Sequence, residues 1–434
     1  MQTSPLAPPL ALPQLGGPSD PSHDELLRRG IIHTDVQRGV AGLLVGLFLS
    51  LICAVPLSQA YLEHREGEDS PFSDFIHRKP SAESLRQLEK DIEQGSYAKS
   101  YTQPRLQLLL THFGRVGNKL SLVGQRGYLY YKPGLAHVSG PGFLDPDVQR
   151  SREKDVLDSG ESAIVADPRP AILAFHAALA QRGIRLVLMP VPDKAALAGE
   201  PLHGRSAPQA RPENPDFRRL LRELQEHGVA VFDVAPGLVS NPSLFLVQDT
   251  HWAPSFMERV ARDLAGYVQQ VAALPAPASS GLWHAVPQPM ARVGDLVDML
   301  KLPETQTFFQ PQSVIVHSVH DAQDNPWQAD EQADVLLLGD SFTNIFSLEG
   351  MGWGEAAGLA PQLSLALDRP VDVIAQNDSG AYATRQTLAR ELASGSDRLQ
   401  GKRVVIWEFA SRELSVGDWK RLDWAQPNGK GGTP

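Results

Sequence analysis

Two short stretches of this sequence carry residue types that could do chemistry together. The first is Asp334-Val-Leu-Leu-Leu-Gly339-Asp340-Ser341-Phe342, an apolar run that ends in Gly and then presents a Ser. On a strand-to-helix turn of this kind a hydroxyl is exposed, and backbone N–H groups beside it can stabilise an oxyanion. Read alone, the string fits a helix-capping Ser just as well. The second stretch is Gln248-Asp249-Thr250-His251-Trp252-Ala253-Pro254. Pro254 suits the first turn of a helix, so Asp249 and His251 belong to the loop leading into it. At i and i+2 of an extended backbone the two side chains leave the same side. The carboxylate can then hold the imidazole in the tautomer that accepts a proton from Ser. A capping or surface His is the plainer alternative. A metal site is disfavoured, because no second His or carboxylate follows at helical ligand spacing.

Both stretches must be positioned by the elements around them. From about residue 120 short apolar runs alternate with helical patterns. Strands are expected over Ile184–Met189, Val229–Asp233, Val335–Leu338, Val371–Ala375 and Val404–Trp407. Each is nearly continuous in apolar character, as strands covered on both faces should be. Helices are expected over Ala171–Arg182, Phe217–Glu226, Phe256–Ala272, Gly354–Leu367 and Arg385–Ala393. This alternation predicts an α/β domain with a mainly parallel sheet, whose active site gathers at the carboxyl ends of the strands. Residues 273–330 break the pattern with Pro, Ser and Gln and read as an insertion bordering the site. There are no internal repeats.

Upstream, Gly39 to Leu62 carry no charge, and about 20 apolar residues suffice for a helix to cross the hydrocarbon layer. Arg28, Arg29 and Arg38 precede the segment, while Glu63, Glu66, Glu68 and Asp69 follow it with Arg65 as the exception. The positive-inside rule puts the N-terminus in the cytoplasm and the rest of the chain outside. Ser58-Gln59-Ala60 resembles a cleavage site, but the long polar leader favours an uncleaved anchor. The expected organisation is a disordered tail at 1–38, a transmembrane anchor at 39–62 and a helical stalk or subdomain at 63–119. A catalytic domain at 120–425 and a flexible tail at 426–434 complete it. In the stalk, helices are expected over Ala82–Glu93, capped by Ser81, and around the apolar stripe Leu106–Phe113.

A net charge of −10 argues against nucleic acid, which needs a concentrated basic surface. The one cysteine, Cys53, excludes an intrachain disulfide and a cysteine metal cluster.

The two motifs together resemble the alginate O-acetyltransferase family of the AlgJ and AlgX type, whose catalytic domain is similar to SGNH hydrolases. Further pieces agree over residues 120–415. Val123-Gly124-Gln125-Arg126-Gly127-Tyr128-Leu129-Tyr130-Tyr131 resembles the family's Gly-x-x-Gly-Trp-Leu-Phe-Tyr opening strand, with Tyr128 in place of Trp as a packing residue. Pro190-Val191-Pro192-Asp193-Lys194 resembles its Val-Pro-x-Lys loop, and Trp407-Glu408-Phe409-Ala410-Ser411-Arg412 its final strand and Arg. The resemblance implies an SGNH-hydrolase-like, flavodoxin-like three-layer domain behind one transmembrane helix. Ser341 would be the nucleophile, His251 the general base and Asp249 its orienting carboxylate. In ordinary SGNH hydrolases the Asp/His pair follows the Ser, whereas here it precedes it, as in the permuted acetyltransferases.

The resemblance implies an oxyanion hole made of the nucleophile's backbone, a Gly and an Asn side chain, for which Gly339 and Asn377 are the candidates, although Asn377-Asp378-Ser379-Gly380 is also strong turn chemistry. Tyr382 and Arg412 are candidate site-lining residues on family position. Trp252 is either a wedge for the His loop or a platform for a sugar ring. Neither a metal nor a cofactor is called for. Acetyl-CoA is not expected outside the cytoplasm, so the resemblance implies a multi-span membrane acyltransferase of the MBOAT type as acetyl donor. The acceptor would be an exopolysaccharide such as alginate or cellulose, with the catalytic domain in the periplasm of a bacterium and the anchor in its inner membrane. Relatives with a carbohydrate-binding module need a further β-rich domain, and only residues 413–434 follow the final motif, so the anchored single-domain type is expected. An extracytoplasmic carbohydrate esterase with the same triad, or a non-catalytic polysaccharide assembly protein, are the alternatives.

Overall fold

The computed structural model describes residues 38–67, 81–204, 212–276 and 281–424. The tails expected before Arg38 and at 426–434 lie outside the described residues, as do Arg28 and Arg29. The chain divides into two compact units, Met1–Tyr101 and Thr102–Pro434.

In the first unit, α1 (Arg38–Glu66) is long and apolar enough to cross a membrane. Its Leu, Val and Phe side chains from Val40 to Leu57 are exposed. Helix α2 (Ala82–Gly95) starts in a capping box, in which Ser81 Oγ accepts from the Ser84 N–H and Ser84 Oγ from the Ser81 N–H. Helix α3 spans Tyr97–Gly114.

The second unit opens with β1 (Ser121–Val123) and β2 (Leu129–Tyr131), an antiparallel pair. The single opening strand expected over Val123–Tyr131 is therefore a hairpin. Arg126 and Gly127 both adopt left-handed backbone, φ 54° and 79°, and reverse the chain. Helices α4 (Lys132–Ser139), α5 (Pro146–Asp158) and α6 (Arg169–Gln181) lead to β3 (Arg185–Val191). There follow α7 (Phe217–Glu226), β4 (Ala230–Val231) and α8 (Pro254–Val271). The expected insertion is folded: β5 (Trp283–Arg292) and β6 (Gln312–Asp321) form a ribbon in register from Trp283↔Asp321 to Arg292↔Gln312. Between them lies α9 (Asp295–Leu300). Then come β7 (Val335–Gly339), the short α10 (Ser341–Asn344), α11 (Leu359–Leu367), β8 (Asp372–Ala375), α12 (Gly380–Ala393), β9 (Val404–Ala410) and α13 (Glu413–Val416). Helix α11 starts five residues later than expected, because Gly354 and Ala356 take positive φ and cannot extend a right-handed helix.

The main sheet has the order β4-β3-β9-β7-β8 and is parallel throughout. Successive side chains leave opposite faces, and the two cores follow that alternation. Val187, Met189, Leu337 and Ile406 pack with α8 and α11 on one face. Leu186, Leu188, Leu336, Val405 and Trp407 pack with α6, α7 and α12 on the other. The result is a three-layer α/β domain. Asp372, at the start of β8, is fully buried with Lys402 at 2.9 Å and Arg398 at 2.6 Å. These ion pairs close the end of the sheet remote from the carboxyl ends.

Candidate active site

The carboxyl end of β7 delivers Ser341 at the first position of α10, and the loop before α8 delivers Asp249 and His251. His251 Nε2 lies 2.7 Å from Ser341 Oγ, and His251 Nδ1 lies 2.6 Å from Asp249 Oδ1. All three side chains are buried. Because Nδ1 donates to the carboxylate, Nε2 is left to accept the Ser proton. The residues in sequence order Asp, His, Ser therefore form one unbroken hydrogen-bonded line.

Four N–H groups saturate Asp249. Oδ1 accepts from His251 Nδ1 and the His251 backbone at 3.1 Å, and Oδ2 from the Asp295 backbone at 3.1 Å and Trp353 Nε1 at 3.0 Å. Burial alone would raise its pKa, but the His251 charge and these bonds hold it far below the usual carboxylate range. Burial would likewise lower His251, yet Asp249 and then Asp295 outweigh it and raise the imidazole above its ordinary value. Asp295 Oδ2 is 3.9 Å from His251 Nδ1, and Asp295 Oδ1 accepts from the Thr250 N–H at 2.8 Å. Burial and the Asp249 charge push the Asp295 carboxyl upward. Asp249, His251 and Asp295 converge tightly enough to face one cation. However, Asp249 has its oxygens filled by donors and His251 has both nitrogens bonded, so this set is committed to hydrogen bonding.

Lys194 fixes the same loop from below. Its Nζ donates to the carbonyls of Val247 at 2.8 Å and Asp249 at 3.0 Å and lies 5.3 Å from the rings of Tyr128 and Tyr130. Burial lowers its pKa to about 7, against the pull of Asp249 and Asp295. Tyr128 is half-buried, with its ring facing this amine.

The other expected site residues divide. Arg412 is close to the triad: its guanidinium is 5.7 Å from the Phe342 ring, 5.1 Å from the Tyr131 ring and 3.1 Å from Asp193. Asn377 is exposed, and its Oδ1 accepts from Asn344 Nδ2 at 2.8 Å, at the far end of α10. The turn it belongs to is pressed on the nucleophile turn, since a Cβ at Gly380 would come within 2.3 Å of Asp340 Cβ. Tyr382 contacts Gln386 and Arg385 of its own helix. Trp252 is not a sugar platform. It is fully buried, edge-on to Phe342 and Phe256, and wedges the His loop against the core. Gly339 serves packing, because any Cβ there would fall 2.2 Å from Thr343 Oγ1.

Asp295 and Trp353 went unnoticed in the sequence because they reach Asp249 from distant segments. One local signal existed: Gly294 precedes Asp295, and a Cβ there would strike the Gln248 carbonyl at 2.3 Å. Glycine at that point lets the α9 loop touch the triad loop.

The family model "SGNH hydrolase-like domain, acetyltransferase AlgX" matches residues 151–411. The "Probable alginate O-acetylase AlgJ" of Azotobacter vinelandii is 24% identical over 261 residues, 58% of this chain. That match spans 64% of the relative's length, slightly less than two thirds. Among solved structures, the O-acetyltransferase domain of Pseudomonas putida AlgJ is 19% identical with a TM-score of 0.48, over 69% of this chain and 93% of that one. Pseudomonas aeruginosa AlgX is 14% identical with a TM-score of 0.43, over 68% of this chain and 66% of that one. Since the family match takes in more than half of the sequence, the chain belongs to the AlgX-type family of SGNH hydrolase-like acetyltransferase domains.

Proposed function

We propose that this protein transfers acetyl groups to hydroxyls of an exopolysaccharide outside the cytoplasm, through an acetyl-Ser341 intermediate. The observation that carries the reading is the line Asp249–His251–Ser341, with both of its hydrogen bonds made and all three side chains buried. His251 takes the Ser341 proton as Oγ bonds to the acetyl carbon of the donor. The tetrahedral intermediate collapses, and the proton on His251 leaves with the donor's departing group. A sugar hydroxyl then gives its proton to His251, attacks the acetyl-Ser and releases Ser341, to which the proton returns. The Phe342 N–H is already bonded to Asp340 Oδ1 at 2.8 Å, so the oxyanion draws on other donors at the turn. The Ser341 N–H and the Asn377 side chain are the candidates. Transfer rather than hydrolysis requires a positioned sugar hydroxyl and exclusion of water.

Helix α1 serves as the single-pass inner-membrane anchor, keeping the domain in the periplasm beside a multi-span acyltransferase of the MBOAT type that supplies acetyl. Alginate, cellulose or a similar exopolysaccharide is the acceptor. The test is the acetyl content of exported polymer in cells carrying Ser341→Ala in place of the wild-type chain. Loss of acetyl at unchanged protein level is expected, and unchanged acetylation contradicts the proposal.

A further inference from the structure

We propose that Glu408 is a positioning residue for Ser341, holding the nucleophile turn onto β9 as a neutral, protonated acid; this rests on the reading of Ser341 as nucleophile. Glu408 shares its face of the sheet with Val404, Ile406 and Ala410, the face covered by α8, α11 and Phe342. It is fully buried. One oxygen, Oε2, accepts from the Asp340 N–H at 2.9 Å and from Thr343 Oγ1 at 2.8 Å, on either side of Ser341. Asp340 returns the connection: its carboxylate accepts from the Phe342 N–H at 2.8 Å and from the Ala410 N–H of β9 at 2.7 Å. Two acids and three hydrogen bonds therefore fasten the turn to the strand, and the fourth braces the turn internally. The missing Cβ of Gly339 is what lets Thr343 come close enough to take part.

The other oxygen of Glu408 is buried without a hydrogen-bond partner. Among the described residues, Glu408 forms no ion pair with a cation. In register on β3 stands the apolar Met189, and the nearest charged side chain from the β7 side is the Asp340 carboxylate. Beyond the end of β9, Arg412 is paired with Asp193, and both Arg412 and Glu413 feel Asp340. An ionised Glu408 would combine a bare buried oxygen with a second carboxylate beside it, each of which is unfavourable. A proton removes the charge and gives that oxygen a donor to share with Asp340. Burial and the Asp340 charge push the Glu408 carboxyl well above its ordinary range, in the direction this arrangement requires. Its ionisation at alkaline pH would place negative charge under the turn on which the oxyanion forms.

The test uses the full chain in detergent, with Glu408→Gln as mimic of the neutral acid and Glu408→Leu as a variant that cannot accept the two bonds. Acylation of Ser341 by a chromogenic acetate ester is followed against pH, and the carbonyl stretch of a protonated carboxylic acid is sought by infrared difference between wild type and Glu408→Gln. We expect the band to vanish in Glu408→Gln. That variant should stay within about threefold of wild type at neutral pH and lose the alkaline fall in rate, while Glu408→Leu falls about a hundredfold as the turn shifts. Absence of the band, or Glu408→Gln as impaired as Glu408→Leu, overturns the proposal. A wild-type Ser341 that the ester never acylates contradicts the proposed function instead, and the infrared band then decides the protonation of Glu408 by itself.

Discussion

Replacing Asp295 with Asn removes one charge from the neighbourhood of His251 and leaves the shape nearly unchanged, since the amide oxygen can still accept from the Thr250 N–H. Asp295 Oδ2 stands 3.9 Å from His251 Nδ1. At that distance two unit charges interact by about 1 kcal/mol in bulk water and about 4 kcal/mol at an effective dielectric near 20. The side chain keeps 28% of its surface exposed, which places the value toward the lower end, about 1–2 kcal/mol or about one pH unit. The sign is fixed by the chemistry. Asp295 favours the imidazolium, so it raises the pKa of His251, and its removal lets the neutral base persist to lower pH. The acid limb of Ser341 acylation should therefore move down by about one unit in Asp295→Asn, with the neutral-pH plateau kept. The assay is the pH dependence of burst acylation by a chromogenic acetate ester, with the full chain in detergent. An acid limb that stays in place, or moves upward, would refute the electrostatic role given to Asp295.

Lys194→Met removes the two hydrogen bonds that hold the His loop, and a shift of that loop should slow acylation about tenfold to a hundredfold, read as kcat. Trp252→Ala opens the core behind His251 and should cost about 3–5 kcal/mol in denaturant unfolding. Trp252→Phe should cost less than about 1.5 kcal/mol, because the indole N–H is buried without a partner. Asp372→Ala strips the buried counter-charge from Lys402 and one of the ion pairs from Arg398, and should destabilise by about 3–5 kcal/mol at neutral pH. Burial raises the pKa of Asp372, but the bonds from Arg398 and Lys402 lower it below the ordinary value. Its contribution is thus present above the usual carboxylate range and lost as pH falls through the folded pKa, so the gap between variant and wild type should narrow in acid.

What could be read from the sequence was whatever chemistry lies close along the chain. The five strands stood out because each is an apolar run buried on both faces, and Ser341, His251 and Asp249 because turn and loop residues frame them. The β5–β6 ribbon was hidden by Pro287 and Pro289, which argue against a strand. They are tolerated because positions two apart put both nitrogens on one edge of a two-stranded ribbon. Helix α11 was overextended because Gly354 and Ala356 give no sequence sign that their backbone turns left-handed. Trp353 and Asp295 join the site by tertiary approach, where spacing along the chain carries no information. Trp252 was ambiguous for another reason: an indole beside a catalytic loop reads the same whether it faces a sugar or the core, and only its burial decides.

The central claim is that His251 makes Ser341 nucleophilic. The most direct measurement is peptide mass spectrometry of the full chain after brief exposure to a sulfonyl fluoride or an activated acetate ester. A single adduct on Ser341 is predicted, lost in Ser341→Ala and strongly slowed in His251→Ala. No adduct, an adduct confined to another residue such as Lys194, or labelling of Ser341 at an undiminished rate in His251→Ala would contradict it.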